Sequence, residues 1–331
     1  MVLEVLVSRS CVFFVFCTLF FNAKASHSNE LLVSMEAGKC DPGISTQLYE
    51  RALRGGVLDQ LAFAQATYRN LCGVVEETKQ DTFVWYRKSA EQGNAVAQVA
   101  LARHIFTDMP RKYWSEAFDW YQRAADQGNA DAKFGLAQMY GRRYNPTSDI
   151  RKNDELALNL YREAAAEGHE RSILLLALIH QKGSHGVKKD DATAAYWFHK
   201  LADIGNSFAQ LQLGRIYLEG SGVAQNPKAA RGWYEKSAGQ GDRYAQFKLA
   251  IMLRDGVGGR RDGKKAVRLL QMAAEADESN AQFELGKIYL YGLNGVRKDL
   301  EKAEYWLNRS AKRWHPLAKQ ELERLDGQST Q

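Results

Sequence analysis

Catalysis and metal binding need reactive side chains brought together, and this chain offers few sets of them. Its seven histidines are scattered, and His180 with His185 is the nearest pair, five apart around a glycine. Imidazoles sharing one metal on a helix stand three or four residues apart, so this spacing is poor for zinc. No Gly-x-Ser-x-Gly elbow, Cys-x-x-Cys or His-Glu-x-x-His segment occurs. The run from Gly258 to Lys265 has the spacing of a phosphate-binding loop, but Lys265 stands where a Ser or Thr would hold magnesium. No strand pattern precedes it, so neither a nucleotide nor any other cofactor is expected.

Cysteine chemistry depends on the compartment. Residues 1–25 read as a signal peptide: Arg9 and the amino terminus precede an apolar run from Cys11 to Phe21, and Ala23-Lys24-Ala25 supplies the small-x-small pattern for cleavage after Ala25. The run is too short to cross a bilayer, which takes about 20 residues. The mature chain is expected in a periplasm or outside the cell, without a transmembrane segment; an uncleaved anchor is the alternative. Cleavage leaves Cys40 and Cys72. An oxidising compartment favours one disulfide between them, closing a loop of about 32 residues and contributing about 3–4 kcal/mol. Two unpaired thiols are the other reading.

With 45% hydrophobic and 25% charged residues, the chain has ample apolar surface to bury, and its five prolines mark no linker between separate cores. Laid on itself, it shows an eightfold pattern: Leu48-Tyr49, Trp85-Tyr86, Trp120-Tyr121, Leu160-Tyr161, Trp197-Phe198, Trp233-Tyr234, Leu269-Leu270 and Trp306-Leu307, at steps of 35 to 40 residues. Five of the seven tryptophans occupy this one column. Between these anchors runs a second helical signature, as in Ala209-Gln210-Leu211-Gln212-Leu213-Gly214-Arg215-Ile216-Tyr217, followed by the turn Gly220-Ser221-Gly222-Val223. Asn226-Pro227 then caps the next helix, and Gly241 suits its left-handed stop.

These residues resemble the units of the Sel-1-like repeat family, which is related to tetratricopeptide solenoids. The resemblance covers roughly residues 44–325 and implies an all-α fold, a right-handed α/α solenoid of stacked helix-turn-helix repeats. About eight helix pairs are expected, with 26–43 as an N-terminal segment, Leu317–Leu325 as a C-terminal cap and 326–331 as a tail. A lone pair cannot offset an ordering cost of about 1–2 kcal/mol per residue, so each must stack on its neighbours. The aromatic dipeptides are therefore expected in the core. Cysteine-rich secreted relatives described as β-lactamases carry a cysteine pair in nearly every repeat. With one pair available here the resemblance does not extend to them, and an enzyme is not expected.

Positions that vary between copies on one helix face are where specificity can be written. In the first helix of successive repeats, such positions are Arg171, Leu175 and Leu178; Phe208, Gln212 and Arg215; and Tyr244, Lys248 and Ile251. The resemblance implies that first helices line a groove. Apolar anchors beside cations would then meet a protein partner there. A merely solvated face is the competing reading. The chain carries a net charge of +6. Its cations concentrate in three turns: Arg142, Arg143, Arg151 and Lys152; Lys188 and Lys189; and Arg260, Arg261, Lys264 and Lys265. Such an edge could attract an acidic polysaccharide, an anionic lipid surface or an acidic protein, while export argues against nucleic acid. The resemblance implies a scaffold for an envelope or exopolysaccharide-secretion complex. Its alternatives are a regulator bound to the outer part of a membrane sensor kinase and a secreted effector engaging host proteins.

Overall fold

A computed structural model describes residues 27–37, 42–69, 71, 82–141 and 153–329. The signal-peptide segment, Cys40, Cys72 and the first basic turn (Arg142, Arg143, Arg151 and Lys152) lie outside the described residues. Those described are helical, without a strand, and fall into two compact units, Met1–Asn153 and Asp154–Gln331. The fold class is the all-α solenoid of paired helices. Unit 1 contains α1 His27–Glu36, α2 Pro42–Leu53, α3 Val57–Tyr68, α4 Thr82–Glu91, α5 Ala95–Asp108, α6 Trp114–Asp126 and α7 Ala130–Gly141. Unit 2 contains α8 Asp154–Ala166, α9 Glu170–Lys182, α10 Asp191–Asp203, α11 Ser207–Glu219, α12 Pro227–Gly239, α13 Arg243–Asp255, α14 Gly263–Glu275, α15 Ser279–Tyr291, α16 Leu300–Lys312 and α17 Ala318–Ser329.

Helix lengths follow from local punctuation. Asn94, Asn206 and Asp242 each accept the backbone N–H three residues on, at 3.0, 3.0 and 2.8 Å, and so start α5, α11 and α13. Asp190, Asn226, Asp262 and Asp299 cap the partner helices in the same way. Left-handed Gly220, Gly256 and Gly292 end α11, α13 and α15. The second glycine of the turn answers a different need. A Cβ on Gly222 would collide with the backbone of Asp191 and Ala192, and one on Gly258 with that of Pro227 and Lys228. Each turn thus rests on the first turn of the preceding hairpin's second helix, which brings successive turns onto one edge of unit 2.

In seven of the eight anchor dipeptides the second residue forms the core; in the first, Leu48 is buried and Tyr49 is exposed. Tyr86, Tyr121, Tyr161, Phe198, Tyr234, Leu270 and Leu307 are all buried. Burial pushes the Tyr86, Tyr161 and Tyr234 phenols up to about 12. The Tyr234 ring fills the hollow beside Gly214, where an added Cβ would approach it to 2.5 Å, and it joins a cluster with Leu249, Leu270 and Leu285. The first member behaves differently. Trp85, Trp120 and Trp306 are buried, whereas Trp197 and Trp233 are only half-buried, which corrects the expectation that every ring lies in the core.

All five of these tryptophans carry a cation three residues on, one helical turn away. Lys88, Arg123, Lys200, Lys236 and Arg309 lie 4.2, 4.7, 5.4, 3.9 and 5.4 Å from the respective ring centroids. Each such contact contributes about 0.5–1 kcal/mol at an exposed site. The leucine copies at Leu160 and Leu269 have Glu163 and Met272 at that spacing, and the one at Leu48 has Arg51.

Buried glutamines join hairpins through hydrogen bonds. Gln98, Gln210, Gln246 and Gln282 each donate Nε2 to a carbonyl of the preceding helix, that of Ala90, Ala202, Ala238 and Ala274. Their oxygens accept from the glutamine at the end of the following repeat: Gln127 to Gln98 at 2.9 Å, and Gln240 to Gln210 at 2.8 Å. The donor position is Ala276 in the next copy and Arg313 in the last, and Gln246 Oε1 and Gln282 Oε1 are left without partners. A buried acceptor without a donor costs about 1–3 kcal/mol. Ala276→Gln therefore restores the missing bond and is expected to stabilise unit 2 by about 1 kcal/mol. A denaturant titration showing no gain would contradict this.

Candidate partner-binding surface

The helices bearing the variable stripe are held by their opposite faces. In α11, Ala209, Gln210, Leu213, Gly214 and Ile216 are buried, while Phe208 and Arg215 remain exposed and Gln212 is half-buried. In α13, Ala245, Gln246, Leu249, Ala250, Met252 and Leu253 are buried, leaving Tyr244 and Lys248 exposed and Ile251 partly so. In α9, Arg171 is exposed and Leu175 and Leu178 are half-buried beside the core residues Leu176 and Ile179. Phe208 and Tyr244 keep 41% and 48% of their surface in water, large for aromatic side chains on helices with an apolar core available.

Several of the polar groups are already oriented. Arg215 donates to Glu219 Oε2 at 3.3 Å and to Gln212 Oε1 at 3.2 Å, which spreads its guanidinium along α11. Arg243, which sequence reasoning missed, donates to the Ala276 carbonyl at 2.9 Å and to the Tyr244 hydroxyl at 3.2 Å. It thereby holds the Tyr244 ring in place. Lys248 has no carboxylate partner among the described residues. The stripe therefore offers two rings on a fixed backbone beside three cations, Arg171, Arg215 and Lys248, a composition common at protein-binding patches.

The basic edge is exposed at Lys188, Lys189, Arg260, Arg261, Lys264 and Lys265. Lys189 pairs with Asp191 at 3.0 Å, Lys265 lies 3.9 Å from Glu235, and Arg261 donates to the Asp255 carbonyl. Edge and stripe meet in a polar cleft of about 350 Å³ lined by Gln181, Lys189, Asp191, Arg215, Glu219 and Ser221. Its two cations and two carboxylates are mutually paired, so it presents no activated acid, base or nucleophile. Among the described residues no group of three His, Cys, Asp or Glu is placed to hold a metal. The phosphate-loop look-alike leads into α14, whose first turn is taken by Asp262 accepting from Lys265 N at 2.9 Å.

A family model for the Sel1 repeat matches residues 79–94, 115–129, 130–169, 171–206, 207–242, 243–278 and 279–313, more than half of the chain. The chain belongs to the Sel1 repeat family. Among solved structures it is similar to c5321, a protective antigen of uropathogenic Escherichia coli with this fold, at 29% identity and a TM-score of 0.70. That match covers 81% of this chain and 56% of the antigen, so the chain spans about half of that relative's length. A Sel1 repeat protein from Oxalobacter formigenes shares the fold, with 22% identity, a TM-score of 0.63, and 90% of this chain and 86% of that one covered. Over 85 residues the chain is 33% identical to the Schizosaccharomyces pombe chitin synthase regulatory factor 1, spanning 26% of this chain and 18% of that protein. Sel1 repeats imply a protein–protein interaction scaffold.

Of the histidines, His180 is buried and His199 and His315 are half-buried. Burial, the largest influence, holds the imidazoles of His180, His199 and His315 below their ordinary 6.5. His199 contacts the Tyr217 hydroxyl at 2.9 Å, while the Nδ1 atoms of His180 and His315 have no hydrogen-bond partner. The unfolded chain therefore takes up protons first. Stability is full above about pH 6.5 and falls as pH drops through the lower folded values. This window is separate from that of Asp255 and Asp277, whose carboxyls are held below 3.8 by arginine hydrogen bonds. The melting midpoint is expected to fall between about pH 7.5 and about pH 5.5. An unchanged midpoint would show these imidazoles to be accessible to protons in the folded state.

Proposed function

We propose that this chain is an exported scaffold that holds a protein partner on the Arg171–Ile251 stripe within an envelope or exopolysaccharide-secretion assembly. The observation that carries this reading is the exposure of Phe208 and Tyr244 beside Arg215 and Lys248, on helices whose other faces are locked into the core. The relative named as a chitin synthase regulatory factor supports a role beside a polysaccharide-making enzyme. The unbalanced cations at Lys188, Arg260 and Lys264 suit an acidic polymer passing along the edge. Export rests on residues 1–25.

A second reading, a regulator bound to the outer part of a membrane sensor kinase, draws on the same relative's description as a regulatory factor. An effector meeting host proteins would draw on the likeness to a protective antigen. Cross-linking in the native cells followed by mass spectrometry separates them, because the captured partner is an assembly component, a sensor or a host protein. The triple variant Phe208→Ala, Arg215→Glu, Tyr244→Ala is expected to abolish that cross-link while leaving the helical melting curve nearly unchanged. A surviving cross-link would place the partner elsewhere.

A further inference from the structure

We propose that the turn between α16 and α17 is a membrane-contact tip, with Trp314 and Leu317 entering the headgroup region of an anionic lipid surface. The corresponding turn follows the second helix of every hairpin, and six earlier copies place glycine at its left-handed position, Gly55 at φ +89° in the first. In the next five, Gly93, Gly128, Gly168, Gly205 and Gly241 have φ of +92°, +82°, +85°, +94° and +89°. Asp277 takes the slot in the seventh copy at φ 64°, and aspartate is among the few residues that tolerate it.

Trp314 takes it in the last copy, at φ 62°. The backbone bonds of the turn are the same, Trp314 N to Ala311 O at 3.0 Å and His315 N to Ser310 O at 3.2 Å, against Gly241 N to Ala238 O at 3.0 Å and Asp242 N to Ser237 O at 3.3 Å. A bulky side chain is disfavoured in this conformation, and here it gains no packing in return, since Trp314 is 90% exposed. Glycine would remove both penalties. A residue that breaks a local rule without helping the fold points to a role outside it.

The surroundings select the ligand. Pro316 and Leu317 follow in the same turn, exposed, with Leu317 at 47%. Lys312, Arg313 and Lys319 flank them, also exposed. Asp277 is occupied by Arg309 and Arg313, each at 2.6 Å, and Lys312 and Lys319 have no carboxylate partner among the described residues. An indole and a leucine projecting from a turn ringed by cations match a bilayer interface, where indole settles at headgroup level and lysines meet anionic lipids. A sugar platform would set free amides or carboxylates level with the ring, whereas Trp314 stands between Arg313 and His315, with Lys312 and Pro316 next to them.

The test is flotation of the full chain with vesicles of phosphatidylglycerol and phosphatidylcholine, against phosphatidylcholine alone. Wild type is expected to float with the anionic vesicles, and Trp314→Gly to bind at least about tenfold more weakly with a melting midpoint equal to or above wild type. Lys312→Glu with Lys319→Glu should weaken binding to anionic vesicles in the same way. The triple stripe variant should float like wild type, which separates this inference from the partner-binding reading. Equal flotation of wild type and Trp314→Gly would assign any lipid contact to the basic edge and overturn the proposal. Absence of wild-type flotation would overturn it as well, as would a Trp314-dependent affinity for a soluble polysaccharide in its place.

Discussion

Unit 2 depends on one contact repeated along it: the second residue of each anchor pair enters a hollow formed by small residues of a facing helix. Tyr234 beside Gly214 and Leu307 beside Gly286 are the clearest cases, since a single added methyl carbon would overlap either side chain. Burying a ring or leucine in such a hollow contributes about 1.5–3 kcal/mol, and no hairpin owns both halves of all its contacts. The glutamine bonds and the glycine turns lying on the preceding hairpin add direction to a contact that has none. Together they set how far each hairpin can slide or rotate on the next.

A rigid stack of this kind frees one face of each first helix from any packing duty. Phe208 and Tyr244 can stay in water because Leu213, Leu249 and their neighbours already fill the core. Specificity can thus vary from copy to copy without disturbing the fold. That division of labour is the physical basis for reading the stripe, and not the anchor aromatics, as the place where a partner docks.

The repeat length, the helix boundaries and the burial of Tyr234 and Phe198 were legible because they follow from spacing and from glycine and asparagine punctuation. The half-exposure of Trp197 and Trp233 was not, since a dipeptide pattern does not say which member faces inward. The cation three residues on follows all five anchor tryptophans, buried and half-buried alike, and so does not separate them. The stripe residues were legible as a helix face, while Arg243's grip on Tyr244 and Arg215's engagement with Glu219 needed side-chain geometry. Trp314 could have been found from sequence by aligning the turns, because it stands in the column otherwise held by glycine and Asp277. The disulfide expected between Cys40 and Cys72 concerns residues outside those described.

Native-state hydrogen exchange on Tyr234→Ala tests the sealing contact most directly. Protection is expected to fall in α11 and α13 together with α12, because the ring closes the boundary that all three share. Loss confined to α12, with its neighbours protected as in wild type, would mean that each helix is stabilised on its own and would contradict the account.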